Sequence, residues 1–190
     1  VLDTIAESAL ALVGASDCLG WFYSWLGRYQ EGEAACRMVT GQLVSAEEAA
    51  ETKPTERQRL LAKALAWQGF FSKLMGRTEL AHQLLQRSLT LLEALELDGQ
   101  DIRSERAHVL LQMGEVTVDS SREEAKPLYE QSLVLYRVVD DLWGAANALA
   151  SLGIMGRRLG FYGSETKRLL EESLALRREL DDRRGITHSL

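Results

Sequence analysis

Residues 78–97 read TELAHQLLQRSLTLLEALEL, and this stretch decides the fold class. Its leucines recur at helical spacing and form one broad apolar stripe, made of Leu80, Leu84, Leu85, Leu89, Leu92 and Leu95. Polar residues such as Gln83 and Arg87 lie mostly off that stripe. Residues 165–180 repeat the design, and the sequence has no segments of alternating β-branched residues. The sequence therefore predicts an all-α fold.

Turn and capping residues divide the chain into separate helices. The pattern predicts helices over residues 3–26, 29–50, 55–75, 78–97, 102–118, 122–139, 142–159 and 164–180, with a ninth beginning near 183. Thr55 and Ser121 each precede a Gln or Glu by three residues, so both are candidate capping boxes. Pro127 falls inside the sixth helix and predicts either a kink or a later helix start.

An internal repeat organises the helices in pairs. Glycine recurs at Gly20, Gly69, Gly114 and Gly153, preceded by Leu19, Gln68, Met113 and Leu152, and the residues 18 to 20 positions further on are Val39, Ser88, Ser132 and Ser173. We expect the glycines to let the paired helix approach closely and the serines to serve the same packing. The sequence predicts four pairs at 3–50, 55–97, 102–139 and 142–180, with 183–190 as the start of a fifth, in a single domain over 1–190.

A second repeated phrase lies where new helices are expected to begin. Asp141 precedes Gly144 by three residues, and Asp182 stands in the same relation to Gly185. Each aspartate is a candidate helix cap. Residues 185–190 then match 144–149 and stop inside an expected first helix, which predicts that the chain is a portion of a longer protein.

The residues that recur in each pair resemble the tetratricopeptide repeat (TPR). The matching sets are Leu19, Gly20, Tyr23, Gly32 and Cys36; Gly69, Ser72, Ala81, Leu85 and Ser88; Gly114, Thr117, Ala125, Tyr129 and Ser132; and Gly153, Gly156, Thr166, Leu170 and Ser173. The glycine spacings of 49, 45 and 39 exceed the usual repeat length. Such long units resemble the arrays of bacterial STAND-type ATPases and of maltose-regulon-activator-like regulators. The resemblance implies a right-handed α-solenoid with a concave groove.

Composition excludes several classes of function. With 22 basic and 28 acidic residues the net charge is −6, which argues against direct nucleic-acid binding. No run of 18 apolar residues occurs, so no membrane span is predicted. Two cysteines, Cys18 and Cys36, are too few for a disulfide scaffold, and a reduced, cytoplasmic setting is expected.

Catalytic and metal-binding motifs are missing from the sequence. There is no phosphate-binding Gly-x-x-x-x-Gly-Lys loop, and His82, His108 and His188 stand apart from any second ligand at metal-binding spacing. We therefore expect no cofactor, no metal site and no enzymatic activity. Cys36 is expected to be an inert core thiol, and His82 to lie on a helix surface.

The resemblance places the first helix of each pair along the concave groove. Counting from each glycine predicts the groove-lining residues Trp21, Trp25, Lys63, Phe70, Lys73, His108, Glu115, Asn147, Ile154, Arg157 and Arg158. A partner with an apolar anchor and an acidic segment would suit these side chains. Alternatively, the aromatic residues pack between neighbouring first helices, and Arg157 and Arg158 are a solvated helix end.

Two functions of different classes follow from this surface. The favoured one is a protein–protein interaction or scaffold module that binds a peptide or partner domain, which could be another domain of the same protein. The alternative is a regulatory domain that senses a small inducer within a larger STAND-type ATPase or transcriptional regulator. That alternative predicts a closed pocket among the first helices, whereas a peptide site needs an open surface. A third hypothesis is that the chain is a passive spacer or a self-association segment.

Overall fold

The computed structural model describes residues 16–45, 54–158, 163–182 and 185, apart from the side chains of residues 16–18 and 158. The described backbone forms eight helices: α1 (Ser16–Trp25), α2 (Tyr29–Ser45), α3 (Pro54–Leu74), α4 (Thr78–Leu97), α5 (Arg103–Thr117), α6 (Arg122–Val138), α7 (Leu142–Arg158) and α8 (Ser164–Glu179). These described segments contain no strand, and the all-α prediction is confirmed. The predicted parts of helices at 3–15 and 46–50, and most of 183–190, lie outside the described residues.

The chain divides into two compact units, Val1–Glu105 and Arg106–Leu190, with the division inside α5. In the first unit, α3 packs against α2 and α4, and α1 packs against α2 and α3. Its buried core includes Leu65, Trp67, Phe71, Leu85 and Leu92. That one domain spans 1–190 stays a prediction.

The second unit has its own hydrophobic core. Helix α7 packs against α6 and α8. The core joins residues of α5, α6 and α7, namely Leu111, Tyr129, Leu133, Tyr136, Leu149, Leu152 and Met155, with Leu169 and Leu176 of α8 against it. Burial of large side chains, at about 1.5–3 kcal/mol each, is the main stabilising term in both units.

The same buried side-chain hydrogen bond recurs in three helix pairs. The hydroxyl of Ser88 donates to the carbonyl oxygen of Ala62 at 2.7 Å, and Ser132 does the same to Ala107 at 2.7 Å. Ser173 repeats the bond to Ala146 at 2.8 Å, and all three serine side chains are buried. Each accepting alanine lies seven residues before a repeat glycine. The helices therefore pair in register as a helical repeat, and the packing role predicted for the serines is confirmed.

The repeat glycines make room for the second helix in three of the four pairs. A Cβ on Gly69 would lie 2.9 Å from Leu85, and one on Gly114 would lie 2.5 Å from Tyr129. Gly153 meets Leu170 in the same way, at 2.6 Å. Real Cβ atoms do not approach other atoms so closely, so a side chain at these positions would force the pair apart.

The first pair departs from the predicted arrangement. Gly20 of α1 lies under the indole of Trp67, which belongs to α3 and not to the paired helix α2. The prediction that Gly20 faces its own second helix is therefore wrong. The physical reason is the size of Trp67, whose fully buried ring occupies the space that the missing Cβ leaves.

The helix starts follow the predicted capping boxes with one exception. Ser121 accepts a hydrogen bond from the backbone of Glu124, and α6 begins directly after it, as predicted. The helix runs through Pro127, so of the two outcomes predicted for this proline the later helix start does not occur. The exception is α3, which begins at Pro54, a residue that suits the first helical position, so the cap predicted at Thr55 is wrong.

Both aspartates of the second repeated phrase act as predicted. Asp141 Oδ1 accepts from the backbone N–H of Gly144 at 2.8 Å, and Asp182 Oδ1 accepts from Gly185 at the same distance. A carboxylate in this place takes up an N–H that a helix start leaves unpaired. Among the described residues, no helix is long and apolar enough to cross a membrane.

Candidate interaction surface

Two predicted groove residues of the first unit meet around a third aromatic ring. Trp21 of α1 lies edge-on to Trp67, with ring centroids 5.0 Å apart, and Phe70 of α3 lies edge-on to the same indole at 5.5 Å. The centroids of Trp21 and Phe70 are 6.1 Å apart. Trp67 is fully buried, while Trp21 and Phe70 each keep part of their surface exposed. Both rings thus pack between neighbouring first helices and still face solvent.

Three further predicted residues accompany these rings. Trp25 lies one helical turn beyond Trp21, and its side chain is 54% exposed. Lys63 lies two turns before Phe70 on α3, Lys73 one turn after it, and both are partly buried. We call Trp21, Trp25, Phe70, Lys63 and Lys73 the aromatic face.

Glu115, a predicted groove residue of the second unit, holds three helices together. Its Oε1 accepts a hydrogen bond from the Ser151 hydroxyl at 2.7 Å and another from the Tyr129 hydroxyl at 3.2 Å. These contacts join α5 to α6 and α7. The carboxylate therefore has an internal role that spacing alone did not show, and it stays partly exposed. His108 and Ile154 are also partly buried.

Asn147 of α7 is hydrogen-bonded to a buried arginine of α8. Its Oδ1 accepts from Arg177 Nη2 at 2.8 Å, and Arg177 is only 5% exposed. The guanidinium also donates to Ser173 Oγ at 3.3 Å and pairs with Asp182 at 3.4 Å. Burial lowers the pKa of Arg177, and the carboxylate of Asp182 works in the opposite direction.

Arg177 was not among the predicted site residues, although the repeat carries a signal for it. Four residues after the repeat serines stand Leu92, Tyr136 and Arg177. Leu92 and Tyr136 are core residues, so an arginine in the same column indicates a buried polar group that needs partners.

The remaining predicted groove residues lie at the end of α7. Arg157 is exposed, in agreement with a solvated helix end. Arg158 is the last residue of the helix, and its side chain is outside the described part of the chain.

A buried carboxylate and a thiol lie close together on α2. Glu33 is buried and accepts a hydrogen bond from Gln68 Nε2 at 3.0 Å. Burial, together with the charge of Glu33, raises the pKa of the Cys36 thiol to about 12. The prediction of an inert thiol is supported, and His82 is exposed on its helix as predicted.

A metal site and a small-molecule pocket are two other kinds of site that the described residues could form. No three His, Cys, Asp or Glu side chains come together there as a metal site would require. An open depression lies at the turn between α3 and α4, lined by Gly76, Arg77, Thr78, Glu79, Leu80 and Gln83. It lies at the end of a helix pair, away from the closed space among first helices that an inducer pocket requires.

No family model matches the chain, and no curated protein matches it. Among solved structures, the chain is similar to BtubC (BKLC) from P. vanneervenii, with 18% sequence identity and a TM-score of 0.65. The match covers 90% of this chain and 64% of the other, so this chain spans less than two thirds of that protein. At this identity the likeness shows the fold alone, a set of packed helix pairs. Membership of the tetratricopeptide family stays a prediction.

Proposed function

We propose that this chain is a non-catalytic protein–protein interaction module of TPR-like helix pairs, which binds a partner through its aromatic face. One observation carries the proposal. Trp21 and Phe70 come from successive first helices, meet around Trp67 and still present part of their rings to solvent. Trp25 extends this apolar surface along α1.

Such a surface suits recognition for two physical reasons. Large aromatic side chains supply much of the binding energy at protein interfaces, and tryptophan is prominent among them. The edge contacts with the buried Trp67 also hold Trp21 and Phe70 in place before a partner arrives. A side chain that is already ordered loses less conformational entropy on binding.

The charges beside the rings indicate the chemistry of the partner. Lys63 and Lys73 lie on either side of Phe70 along α3. An ammonium group strengthens a hydrogen bond to a carboxylate, so the face favours a segment with an apolar anchor and acidic residues nearby. This chemistry fits a peptide or an exposed segment of a partner domain.

A binding comparison with two matched double variants tests the proposal. Trp25→Ala with Lys73→Ala removes one exposed aromatic and one cation from the aromatic face. Val134→Ala with Arg178→Ala removes one exposed apolar side chain and one exposed cation from the second unit. We expect the wild-type chain and the control variant to capture the same proteins from a lysate of the source organism. The amount captured by the first variant should be at least tenfold lower. Equal capture by both variants, at unchanged melting temperature, contradicts the proposal.

A further inference from the structure

Two turns of the second unit are built in the same way, one after α6 and one after α8. The N–H of Asp141 donates to the carbonyl oxygen of Tyr136 at 2.9 Å, and the N–H of Asp182 donates to that of Arg177 at 2.8 Å. The residue before each of these aspartates is another aspartate with a positive φ, 54° in the first turn and 50° in the second. The two turns differ in the side chain that lies against the glycine three residues further on.

After α6 this contact is apolar. A Cβ on Gly144 would fall on the ring of Tyr136, which is 4% exposed and belongs to the hydrophobic core. Asp141 caps the N–H of Gly144. We call Tyr136, Asp141 and Gly144 the apolar joint. It is stabilised by the buried area of the ring, which an opening of the joint would expose to water.

After α8 the corresponding contact is charged. A Cβ on Gly185 would fall on the guanidinium of Arg177. Asp182 uses its two carboxylate oxygens differently, since Oδ1 accepts from the N–H of Gly185 at 2.8 Å and Oδ2 accepts from Arg177 Nη1 at 3.4 Å. We call Arg177, Asp182 and Gly185 the charged joint. Gly185 is buried there, as Gly144 is in the apolar joint.

Arg177 has two further partners that do not depend on this joint. Its Nη2 donates to Asn147 Oδ1 at 2.8 Å, and its Nε donates to Ser173 Oγ at 3.3 Å. If Asp182 moves away, both bonds remain, and water replaces the carboxylate. The cost of taking two charges out of water largely cancels their attraction, so a buried ion pair adds little net stability. The charged joint should therefore open at a lower cost than the apolar joint.

We propose that the charged joint is a latch, at which the backbone of Gly185 separates from α8 while α6, α7 and α8 stay folded. The backbone of Gly144 separates only when the second unit unfolds. The latch depends on charge, because Asp182 holds Gly185 against α8 only while its carboxylate faces the guanidinium of Arg177. This inference does not rest on the proposed function, since none of these residues belongs to the aromatic face.

Hydrogen exchange of two glycine amides, followed by NMR in the whole chain, compares the joints directly. Gly144 is the matched control for Gly185, since each amide donates to an aspartate at 2.8 Å. After correction for intrinsic rates, Gly185 should exchange about tenfold faster or more, and low concentrations of urea should not change its rate. Exchange of Gly144 should accelerate with urea, as unfolding of the unit requires. Equal protection of the two amides, or the same urea dependence, overturns the latch.

Variants that keep the cap and remove the charge separate the latch from simple fraying of the backbone. Asparagine caps as well as aspartate, so Asp182→Asn leaves an acceptor for Gly185 but no charge opposite Arg177. This variant should raise the exchange rate of Gly185 about tenfold or more, because Arg177 is left buried without a counter-charge. The matched control, Asp141→Asn, should change the rate of Gly144 by less than about threefold.

The double variant Arg177→Gln with Asp182→Asn completes the test. Its effect on Gly185 should be smaller than the product of the two single effects, because the charges act on each other. Effects that multiply, or a Gly185 rate that Asp182→Asn leaves unchanged, overturn the latch. Loss of protection at Gly144 in Asp182→Asn also overturns it, since the ion pair would then hold the whole unit together.

Discussion

Ser132 and Ala107 join the two helices of a pair through one buried hydrogen bond, in which the serine hydroxyl donates to the alanine carbonyl oxygen at 2.7 Å. The same bond links Ser88 to Ala62 and Ser173 to Ala146. The accepting carbonyls belong to helices, so the bond adds to the backbone ladder without replacing it. A small side chain with one donor is what this position requires, because the helices approach too closely for a larger one.

Ser132→Ala should lower the free energy of unfolding by about 1 kcal/mol, the net worth of a typical buried hydrogen bond. Ser132→Leu should cost more, about 1–3 kcal/mol, because it overpacks the helix pair. The control is Ser120→Ala, whose exposed hydroxyl bonds within its own turn and should matter by less than about 0.5 kcal/mol. Urea unfolding measures all three variants. An unchanged unfolding midpoint for Ser132→Leu would contradict the packing of this pair.

Gly114→Ala and Gly41→Ala should change stability in opposite directions. A Cβ on Gly114 meets Tyr129 at 2.5 Å, so the substitution should destabilise the chain by about 1–3 kcal/mol. Gly41 lies within α2 with open space around its missing Cβ, so alanine there should stabilise the chain by about 0.5–1 kcal/mol. Thermal melts of both variants check the signs, and a stabilised Gly114→Ala would show that the helices of the pair are further apart.

Local patterns predicted the helices well. From α3 onward every observed boundary lies within two residues of its prediction, because leucine spacing and caps such as Ser121 act within a few residues along the chain. The pairing also followed from the sequence, since the glycines and serines recur with their partners at nearly constant separation.

Contacts between residues far apart in the sequence could be predicted less well than the helices. The sequence did not show that Gly20 lies under Trp67, since that depends on which helix the indole reaches. Nor did it show that Glu115 binds Ser151 and Tyr129. Both contacts are set by tertiary packing, and helical periodicity alone does not specify which neighbour a side chain meets.

Arg177→Met should destabilise the second unit. The guanidinium is buried, donates a hydrogen bond to Asn147 and forms an ion pair with Asp182. Because methionine can make neither contact, the substitution should lower the free energy of unfolding by about 1.5–3 kcal/mol. Arg178→Met is the control, since the neighbouring side chain is exposed and should contribute less than about 0.5 kcal/mol. If Arg177→Met is instead more stable than wild type in urea, an apolar residue is favoured at this position of the repeat.

Cys36 should resist thiol reagents in the folded protein. Its pKa of about 12 lies above the unfolded value near 9, so the neutral thiol is favoured, and its contribution to stability is complete below about pH 9 and lost as the pH rises toward 12. In a Cys18→Ser background, a disulfide reagent at pH 8 should react slowly with native protein and quickly in denaturant. A cysteine at exposed position 120, with Cys36→Ser added, is the reactive control. Equal native rates for the two cysteines would place the thiol in solvent.

Site-specific photo-crosslinking tests the aromatic face most directly. Benzoylphenylalanine replaces Trp25 in one protein and Val134 in another, two apolar residues with similar exposure of 54% and 58%. Each protein is irradiated in a lysate of the source organism. We predict a defined adduct with a partner protein from position 25 and no adduct of that mass from position 134. The same adduct at equal yield from both positions, or from position 134 alone, would contradict it.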